Sequence, residues 1–357
     1  MPGGLAARLQ LECGELVSRI LVTGGAGFIG VNLAHRLISE GHHVVVYDNL
    51  SRHGADVNLE WLRTAFGDRF VFVPGDVRDW KAVKQAAAGV ERIYHLASQV
   101  AVTTSVSNPR EDFEINALGT FNLLEAARDV ADDPIFVYAS TNKVYGAMNQ
   151  VGVIEERSRY RYRDCPAGVP ESYPLDFHSP YGCSKGAGDQ YTHDYARIYG
   201  LRTIVFRQSC IYGPMQFGVE DQGWVAHFLI AATLGRPITI YGDGKQVRDL
   251  LYVDDLIDAY ELAVQHIDVT AGQIYNLGGG PDFALSVWAE FGPLTEELLG
   301  RPVAVRRGDW RPGDQKIFIA DVRKAERGFG WRPRVSPADG IPRLLRWVQD
   351  HRHLFRR

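Results

Sequence analysis

The stretch that most constrains the fold is residues 19–30, RILVTGGAGFIG, in which a short apolar run breaks into a glycine-rich turn. The β-branched apolar run is typical of a buried parallel strand, and the segment 31–41 continues with apolar residues at helical spacing. Between strand and helix, Gly24 permits a tight turn, Gly27 lets the backbone approach a pyrophosphate, and Gly30 lets helix and strand pack closely. The stretch therefore predicts a dinucleotide site at a helix N-terminus.

The spacing of these glycines is G-x-x-G-x-x-G rather than the common G-x-G-x-x-G, so a glycine turn in another kind of α/β protein is the alternative. A second apolar run, 43–47, ends in Asp48, about 20 residues after the glycines. A carboxylate at that place binds the two ribose hydroxyls of NAD and repels a 2′-phosphate. We therefore predict NAD as the cofactor.

The composition excludes several classes of partner. The chain has 357 residues, of which 45% are hydrophobic and 23% charged, and a net charge of −4, so we expect neither a nucleic-acid nor a membrane partner. Its four cysteines contain no C-x-x-C pair, which favours a reducing cytoplasm and predicts no metal site. Residues 1–18 lack the features of a signal peptide, and we interpret them as a frayed N-terminal extension or an upstream start.

Strands alternate with helical segments through the first half of the chain, which predicts an α/β fold with a Rossmann-type doubly wound parallel sheet. From about residue 213 the alternation breaks down. We therefore predict an NAD-binding domain over 19–212, with later returns near 238–275, and a smaller C-terminal substrate-binding domain over 213–357. Further strands are expected at 69–73, 92–97, 135–138 and 201–206, and helices at 114–128, 181–199 and 340–351.

Two features of the first half have two interpretations each. Asp76 follows the third strand, at the sheet edge where ligands bind, and either contacts the adenine or caps a turn. Residues 150–178 are rich in Arg, Tyr and Pro and are expected to be irregular. That segment is either a lid over a phosphorylated ligand or a solvated loop.

The catalytic chemistry is indicated by Tyr181 and Lys185, which stand four residues apart and so share one face of the predicted helix. A lysine charge beside the phenol, together with the positive ring of NAD, favours the phenolate, and we expect the pKa of Tyr181 to fall from about 10 toward neutrality. Such a phenolate takes a proton from a sugar hydroxyl while hydride leaves the same carbon. Thr141, at the end of the fifth strand, is placed to donate a hydrogen bond to the same oxygen.

Together, TGGAGFIG, Asp48, Asp76, HLA, Thr141 and Tyr181-x-x-x-Lys185 resemble the extended short-chain dehydrogenase/reductase family of nucleotide-sugar epimerases and dehydratases. The resemblance runs from about residue 19 to the C-terminus. Longer stretches are similar to the branch that epimerises C2 of CDP-linked dideoxyhexoses; they are NLSRHGADVNLEWL, SQVAVTTS, ASTNKVYG, LDFHSPYGCSKGAGDQY, DQGWV and GKQVRDLLYVDD.

The resemblance implies a reaction, its cofactor and its site. Tyr181 would deprotonate the C2 hydroxyl while NAD takes the hydride, and hydride would return to the other face of the 2-keto sugar, interconverting CDP-paratose and CDP-tyvelose. The implied cofactor-binding residues are Gly24, Gly27, Phe28, Ile29, Asp48, Asn49, Asp76, Val77, Leu96, Ala97, Gln99, Tyr181 and Lys185. The implied residues for the nucleotide-diphosphate sugar are Thr103, Asn142, Ser209, Gln216, Arg248 and Arg311. The two arginines match the family's diphosphate contacts, with a surface salt bridge as the alternative for each.

Two positions separate the possible reactions. Dehydratases of the family carry an Asp-Glu pair after the threonine, whereas this chain has Asn142 and Lys143, which disfavours dehydration. Met215 stands where the family usually has an arginine, which leaves open the nucleotide and the sugar. A 4-epimerase of a UDP- or dTDP-hexose is therefore the alternative enzyme, and a non-catalytic NAD-binding sensor or scaffold is the alternative of another class. The resemblance also implies a homodimer, paired through helices at about 112–128 and 181–199.

Overall fold

A computed structural model describes residues 17–131, 133–310 and 315–355. Its strands are β1 (Arg19–Thr23), β2 (His43–Asp48), β3 (Val71–Pro74), β4 (Arg92–His95), β5 (Ile135–Thr141), β6 (Val153–Glu155), β7 (Tyr160–Tyr162), β8 (Arg202–Gln208), β9 (Cys210–Tyr212), β10 (Ile238–Tyr241), β11 (Val247–Tyr252), β12 (Gln273–Leu277), β13 (Ala284–Ser286), β14 (Val305–Gly308) and β15 (Ile317–Phe318). Its α-helices are α1 (Phe28–Ser39), α2 (Ala55–Phe66), α3 (Trp80–Ala86), α4 (Val102–Ser107), α5 (Pro109–Phe113), α6 (Gly119–Val130), α7 (Ser179–Tyr199), α8 (Trp224–Leu234), α9 (Val253–Gln265), α10 (Ile267–Thr270), α11 (Phe291–Leu299), α12 (Arg323–Phe329) and α13 (Pro337–Asp350).

The main sheet has seven parallel strands in the order β3-β2-β1-β4-β5-β8-β12. The chain direction across the sheet reverses between β1 and β4, and ligands of such sheets bind in the crevice outside the carboxyl ends of the strands at that reversal. The predicted α/β doubly wound parallel sheet is confirmed.

Alternate residues of each strand face opposite sides of this sheet. In β1, Ile20 and Val22 join one core with α1, α2 and α9, whereas Leu21 joins a second core with α3, α6 and α7. Both faces of the sheet are therefore covered, which explains why its strands are continuous apolar runs rather than alternating ones.

The rest of the chain forms smaller sheets around a third core. Strand β11 pairs with β9 and β15 in parallel and with β13 antiparallel, and β10 pairs with β14 in parallel. Helices α8 and α13 pack on this core. Within the predicted return at 238–275, α9 packs on α1 and β12 joins the main sheet at 273–277. In the described residues, no helix is both long enough and apolar enough to cross a membrane.

The expectation of an irregular segment at 150–178 is wrong in part. Strands β6 and β7 pair there as an antiparallel hairpin, and the side chains of Tyr160 and Tyr162 in β7 are buried. The Tyr162 hydroxyl donates to the Ile317 carbonyl at 3.0 Å. In β7 the two tyrosines point inward and Arg161 between them points outward, a strand alternation that the surrounding Arg and Pro residues obscured.

Several boundaries differ from the predicted ones for identifiable reasons. The helix expected at 114–128 opens as a π-helical turn, Glu114–Leu118, before α6. The last helix begins at Pro337 rather than at residue 340, because proline is tolerated in the first helical turn and Ser336 caps it. Strand β5 continues as far as Thr141, and this extension brings the threonine to the carboxyl edge of the sheet.

A buried ion pair joins α7 to β8 and gives a first prediction. The Arg207 guanidinium donates two hydrogen bonds of 2.9 Å to Asp189, and both side chains are almost fully buried. Because Arg207→Met leaves the carboxylate buried and unpaired, we expect urea unfolding to show a loss of about 3–5 kcal/mol. Arg197→Met removes an exposed pair on the same helix and should cost less than about 1 kcal/mol. Equal losses for the two variants would contradict this account of the pair.

Candidate active site

One cavity of about 1170 Å³ lies at the carboxyl edge of the main sheet and extends to β10, β11 and α8. It is lined by every predicted site residue that the structure describes: Gly24, Gly27, Phe28, Ile29, Asp48, Asn49, Asp76, Val77, Leu96, Ala97, Gln99, Thr103, Thr141, Asn142, Tyr181, Lys185, Ser209, Gln216 and Arg248. Arg311 lies outside the described residues. None of the described lining residues belongs to 150–178, so the expected lid does not form part of this cavity.

The glycine turn is a backbone cradle that side chains would fill. Gly24 has φ +67°, and a Cβ built on it would lie 2.7 Å from the Ala97 nitrogen. A Cβ on Gly30 would lie 2.1 Å from the Gly24 carbonyl oxygen, while Gly27 immediately precedes α1. These contacts match the three expected glycine functions and leave the first N–H groups of α1 facing the cavity, so the residues present fit a dinucleotide.

Two carboxylates border the cavity beside this turn. Asp48 accepts hydrogen bonds from the Ala26 and Leu50 nitrogens at 3.0 and 2.8 Å, which fixes the carboxylate next to the glycine turn. Burial raises the pKa of Asp48, and these backbone bonds oppose that rise. Asp76 accepts the Arg78 nitrogen at 2.9 Å and the Arg78 guanidinium, whose hydrogen bond is the main cause that lowers its pKa to about 2. The turn-capping geometry is therefore present at Asp76, which also lines the cavity.

Tyr181 and Thr141 meet at the centre of the cavity. Tyr181 lies in the first turn of α7, next to Pro180, and its phenol is near enough to the Thr141 side chain for the threonine to lower its pKa. Thr141 ends β5 and accepts the Lys143 nitrogen at 3.3 Å, which begins a short 3₁₀ turn. A phenol and a hydroxyl converging on one point can share a single ligand oxygen.

The protein's own groups raise the pKa of Tyr181, so the expected fall toward neutrality depends on the positive ring of bound NAD. The pKa of Tyr181 is raised to about 12, mainly by burial; Thr141 opposes the rise and the charge of Asp112 adds to it. Burial also lowers the pKa of Lys185 to about 7, and its ammonium lies 4.4 Å from the centre of the Tyr138 ring. The four-residue spacing places both groups on one helix face but carries no information about the low dielectric around them.

A buried polar cluster packed behind α7 was not predicted. The Ser184 hydroxyl donates to Asp112 at 2.5 Å, and the Asn116 amide donates to Asp112 and to Ser184 at 3.1 Å each. The Gln99 amide completes the cluster by donating to Asp112 at 2.9 Å. The available signal was the pair of polar residues four apart, Asp112 and Asn116, on an otherwise amphipathic segment. The cluster fixes the start of α7 against the loop that follows β4.

On the opposite side of the cavity, two loops contact each other. Arg52, in the loop after β2, donates to the Gln222 side chain at 2.7 Å. Met215 is buried in the left-handed region at φ +66°, and the Asn58 amide donates to its carbonyl at 3.3 Å. The position that usually carries an arginine in the family is thus occupied in this chain by a buried apolar side chain that lines the cavity. Arg52, Asn58 and Gln222 were not predicted as site residues, although they lie in the stretches NLSRHGADVNLEWL and DQGWV that carry the resemblance.

Asp249 lies beneath the cavity and gives a prediction on pH and stability. Its carboxyl group is fully buried, and burial raises its pKa to about 6 from 3.8. Because the folded pKa is the higher one, the stability contributed by the protonated group is complete below pH 3.8 and is lost as the pH rises through about 6. The shift corresponds to about 3 kcal/mol, of which about half is lost between pH 5 and 7.5.

Asp249→Asn removes this titration while keeping the shape of the side chain. We expect the free energy of unfolding of the unsubstituted protein, relative to Asp249→Asn, to fall by about 1 kcal/mol between pH 5 and 7.5. Urea unfolding at the two pH values measures this difference. A difference that does not change with pH would show that Asp249 keeps an ordinary pKa.

Comparison with known proteins agrees with this geometry. The model of the NAD dependent epimerase/dehydratase family matches residues 20–278. The chain is 45% identical over 339 residues to the CDP-paratose 2-epimerase of Salmonella typhi, covering 93% of this chain and 99% of that protein. The structure of dTDP-glucose 4,6-dehydratase from Streptomyces venezuelae with NAD and TYD bound has a TM-score of 0.79 and 32% identity, covering 94% of this chain and 98% of that one.

A UDP-glucose 4-epimerase from Thermotoga maritima, solved with UDP-glucose, has a TM-score of 0.77 and 30% identity, covering 93% of this chain and 99% of that one. The prediction of NAD as the cofactor and the resemblance drawn from the motifs are both confirmed. On this match over most of its length, the chain belongs to the NAD dependent epimerase/dehydratase family, whose members are enzymes.

Proposed function

We propose that the protein is an NAD-dependent epimerase that interconverts CDP-paratose and CDP-tyvelose by inverting C2. The observation that carries the proposal is that Tyr181 at the start of α7, Thr141 at the end of β5 and the glycine turn all line one cavity. Identity of 45% to a CDP-paratose 2-epimerase, against 33% to the UDP-glucose 4-epimerase of Mycolicibacterium smegmatis, favours the CDP-sugar and C2.

The proposed reaction needs a base that deprotonates one sugar hydroxyl and a hydrogen-bond donor that positions the oxygen of that hydroxyl. Tyr181, as phenolate, takes the C2 hydroxyl proton while Thr141 donates to the same oxygen, and Tyr181 later returns the proton to it. When bound, NAD would supply the acceptor for the C2 hydride, which would return to the opposite face of the sugar, and a positive ring that favours the phenolate of Tyr181. The sugar leaves with no net oxidation, because the proton and the hydride both return to it.

The residues after Thr141 support epimerisation over dehydration. Eliminating water requires an acid and a base beside the sugar, whereas an amide at Asn142 does neither and Lys143 offers a cation. Both side chains line the cavity. We assign NAD to the unit 19–212 with its returns near 238–275, and the nucleotide sugar to 213–357, where Arg248 and Arg311 would hold the diphosphate.

A substrate panel tests the proposal. The NAD-loaded protein is incubated separately with CDP-paratose, CDP-tyvelose, UDP-glucose and dTDP-glucose, and the products are separated by anion exchange. We expect the two CDP-dideoxyhexoses to interconvert and the other sugars to remain unchanged. Epimerisation of UDP- or dTDP-glucose at C4 would favour the alternative enzyme, and no conversion of any sugar with NAD retained would favour a sensor or scaffold.

The proposal includes a homodimer in the cytoplasm. Large apolar side chains are exposed along α5, α6 and α7, among them Phe113, Phe121, Tyr191 and Ile198, and the rings of Phe121 and Tyr191 lie 6.0 Å apart. An apolar patch of this kind is typical of a protein interface. Light scattering should give twice the 39.8 kDa chain mass, and Phe121→Asp should reduce it to the monomer. Val269→Asp, at an exposed apolar site elsewhere, should leave the mass unchanged.

A further inference from the structure

Among the described residues, the groups that hydrogen-bond to the buried carboxyl group of Asp249 are all donors. Its Oδ2 accepts the Gly280 and Ala320 nitrogens at 3.2 and 3.1 Å, and its Oδ1 accepts the hydroxyl of Ser209. A protonated carboxyl group would place its own proton against one of these donors, so the arrangement suits the ionised form. The pKa of about 6 agrees, because a group with that pKa is ionised at neutral pH.

This arrangement determines which way the Ser209 hydroxyl points. A serine hydroxyl has one proton and two lone pairs. The Ser209 oxygen has two acceptors of Asp249 within reach, the carboxylate and, at 3.4 Å, the backbone carbonyl. The single proton is therefore directed toward Asp249, away from the cavity that Ser209 lines. Toward the cavity, Ser209 presents lone pairs and acts as a hydrogen-bond acceptor.

The position of Ser209 indicates which part of a ligand it meets. Thr141 on β5 pairs in register with Gln208 on β8, and Ser209 is the next residue. Neighbouring strands lie about 4.8 Å apart, so Ser209 is close to the point where Thr141 and Tyr181 converge. A ligand group at that point is close to the reacting carbon of the sugar. The nucleotide base is farther away, because the diphosphate separates it from the sugar.

We infer that Ser209 accepts a hydrogen bond from a hydroxyl group of the substrate's sugar, and that Asp249 is the positioning residue that imposes this polarity. The inference rests on the proposed function for the nature of the ligand. A phosphate oxygen is a hydrogen-bond acceptor and would meet the lone pairs of Ser209, which also accept. The diphosphate is therefore excluded as the partner of Ser209. The site therefore selects sugars that carry a hydroxyl at the position facing Ser209.

The test compares a nucleotide with and without its sugar. Isothermal titration with CDP and with CDP-glucose is made on the NAD-loaded protein and on Ser209→Ala, Asp249→Asn and the double variant, with NAD content measured in each. We expect Ser209→Ala to lower the affinity for CDP-glucose by about 3–10-fold and to change the affinity for CDP by less than twofold. Asp249→Asn should give the same pattern, because the asparagine amide donates to Ser209 and turns its proton toward the ligand. In the double variant the second change should add nothing.

Other results would contradict the inference. Equal weakening of CDP and CDP-glucose would place Ser209 on the diphosphate and overturn the inference. Additive losses in the double variant would remove Asp249 from the role, and loss of NAD with unchanged sugar affinity would place Ser209 on the cofactor. If the unsubstituted protein binds neither cytidine compound, the proposed function fails, and the same variants measured with UDP and UDP-glucose then decide the inference by the same pattern.

Discussion

Tyr181→Phe should lower the turnover number of the NAD-loaded protein by about 10²–10⁴-fold, the range that general acid–base groups contribute. The change removes one oxygen from a fully packed ring and leaves α7, the Lys185 side chain and the glycine turn as they are. The phenol hydroxyl is the proposed proton acceptor, so its loss removes that group without altering the apolar shape of the cavity that Tyr181 and Thr141 line. Steady-state turnover of a CDP-dideoxyhexose measures the effect.

The control for this variant is Tyr199→Phe, at the exposed end of the same helix. It should change turnover by less than twofold, because its ring contact with Arg128 does not require the hydroxyl. NAD content should be unchanged in both variants. If Tyr181→Phe retains NAD and turns over at the unsubstituted rate, another group is the base and the proposed mechanism fails.

Gly30→Ala should abolish NAD retention. A Cβ at Gly30 would lie 2.1 Å from the Gly24 carbonyl oxygen, and this contact is with backbone, which cannot swing away as a side chain does. The turn must shift by about an ångström, a displacement that costs roughly 100-fold in a precisely held site. We expect NAD affinity to fall by at least that factor and the free energy of unfolding to fall by about 1–3 kcal/mol.

Gly41→Ala is the control that separates backbone strain from contact. Gly41 has φ +90° with no atom within 4 Å of a built Cβ, so alanine there costs about 1–2 kcal/mol through strain alone. NAD released from the denatured protein is measured for both variants. Gly41→Ala should keep its NAD, and an equal loss in the two variants would mean that general destabilisation, rather than the cradle, explains Gly30→Ala.

The strand–turn–helix unit and its carboxylate were predictable because the chemistry of the site is local. A tight turn, a free helix N-terminus and a carboxylate at the next strand end all follow from short-range patterns, and the predicted residues that the structure describes line one cavity. Thr141 and Tyr181 were predictable for a related reason. Each stands at the carboxyl end of a strand or in the first turn of a helix, and the topology brings these ends together.

What could not be predicted depends on distant residues. The pKa of Tyr181 rises because of burial, and burial is a property of the packed fold rather than of the spacing to Lys185. The Asp249–Ser209 bond joins residues 40 apart, and only the packing of β11 beside β9 creates it. The hairpin at 153–162 was missed because its several arginines hid the inward alternation of Tyr160 and Tyr162.

The central claim is that one hydride leaves C2 and returns to the same carbon. Proton NMR of the protein with CDP-paratose in D₂O tests it most directly, because hydride carried on the cofactor does not exchange with solvent. The account predicts conversion to CDP-tyvelose with the C2 proton retained and no deuterium in the ring. Conversion with deuterium at C2 or at a neighbouring carbon would show an enolisation route and would contradict the account.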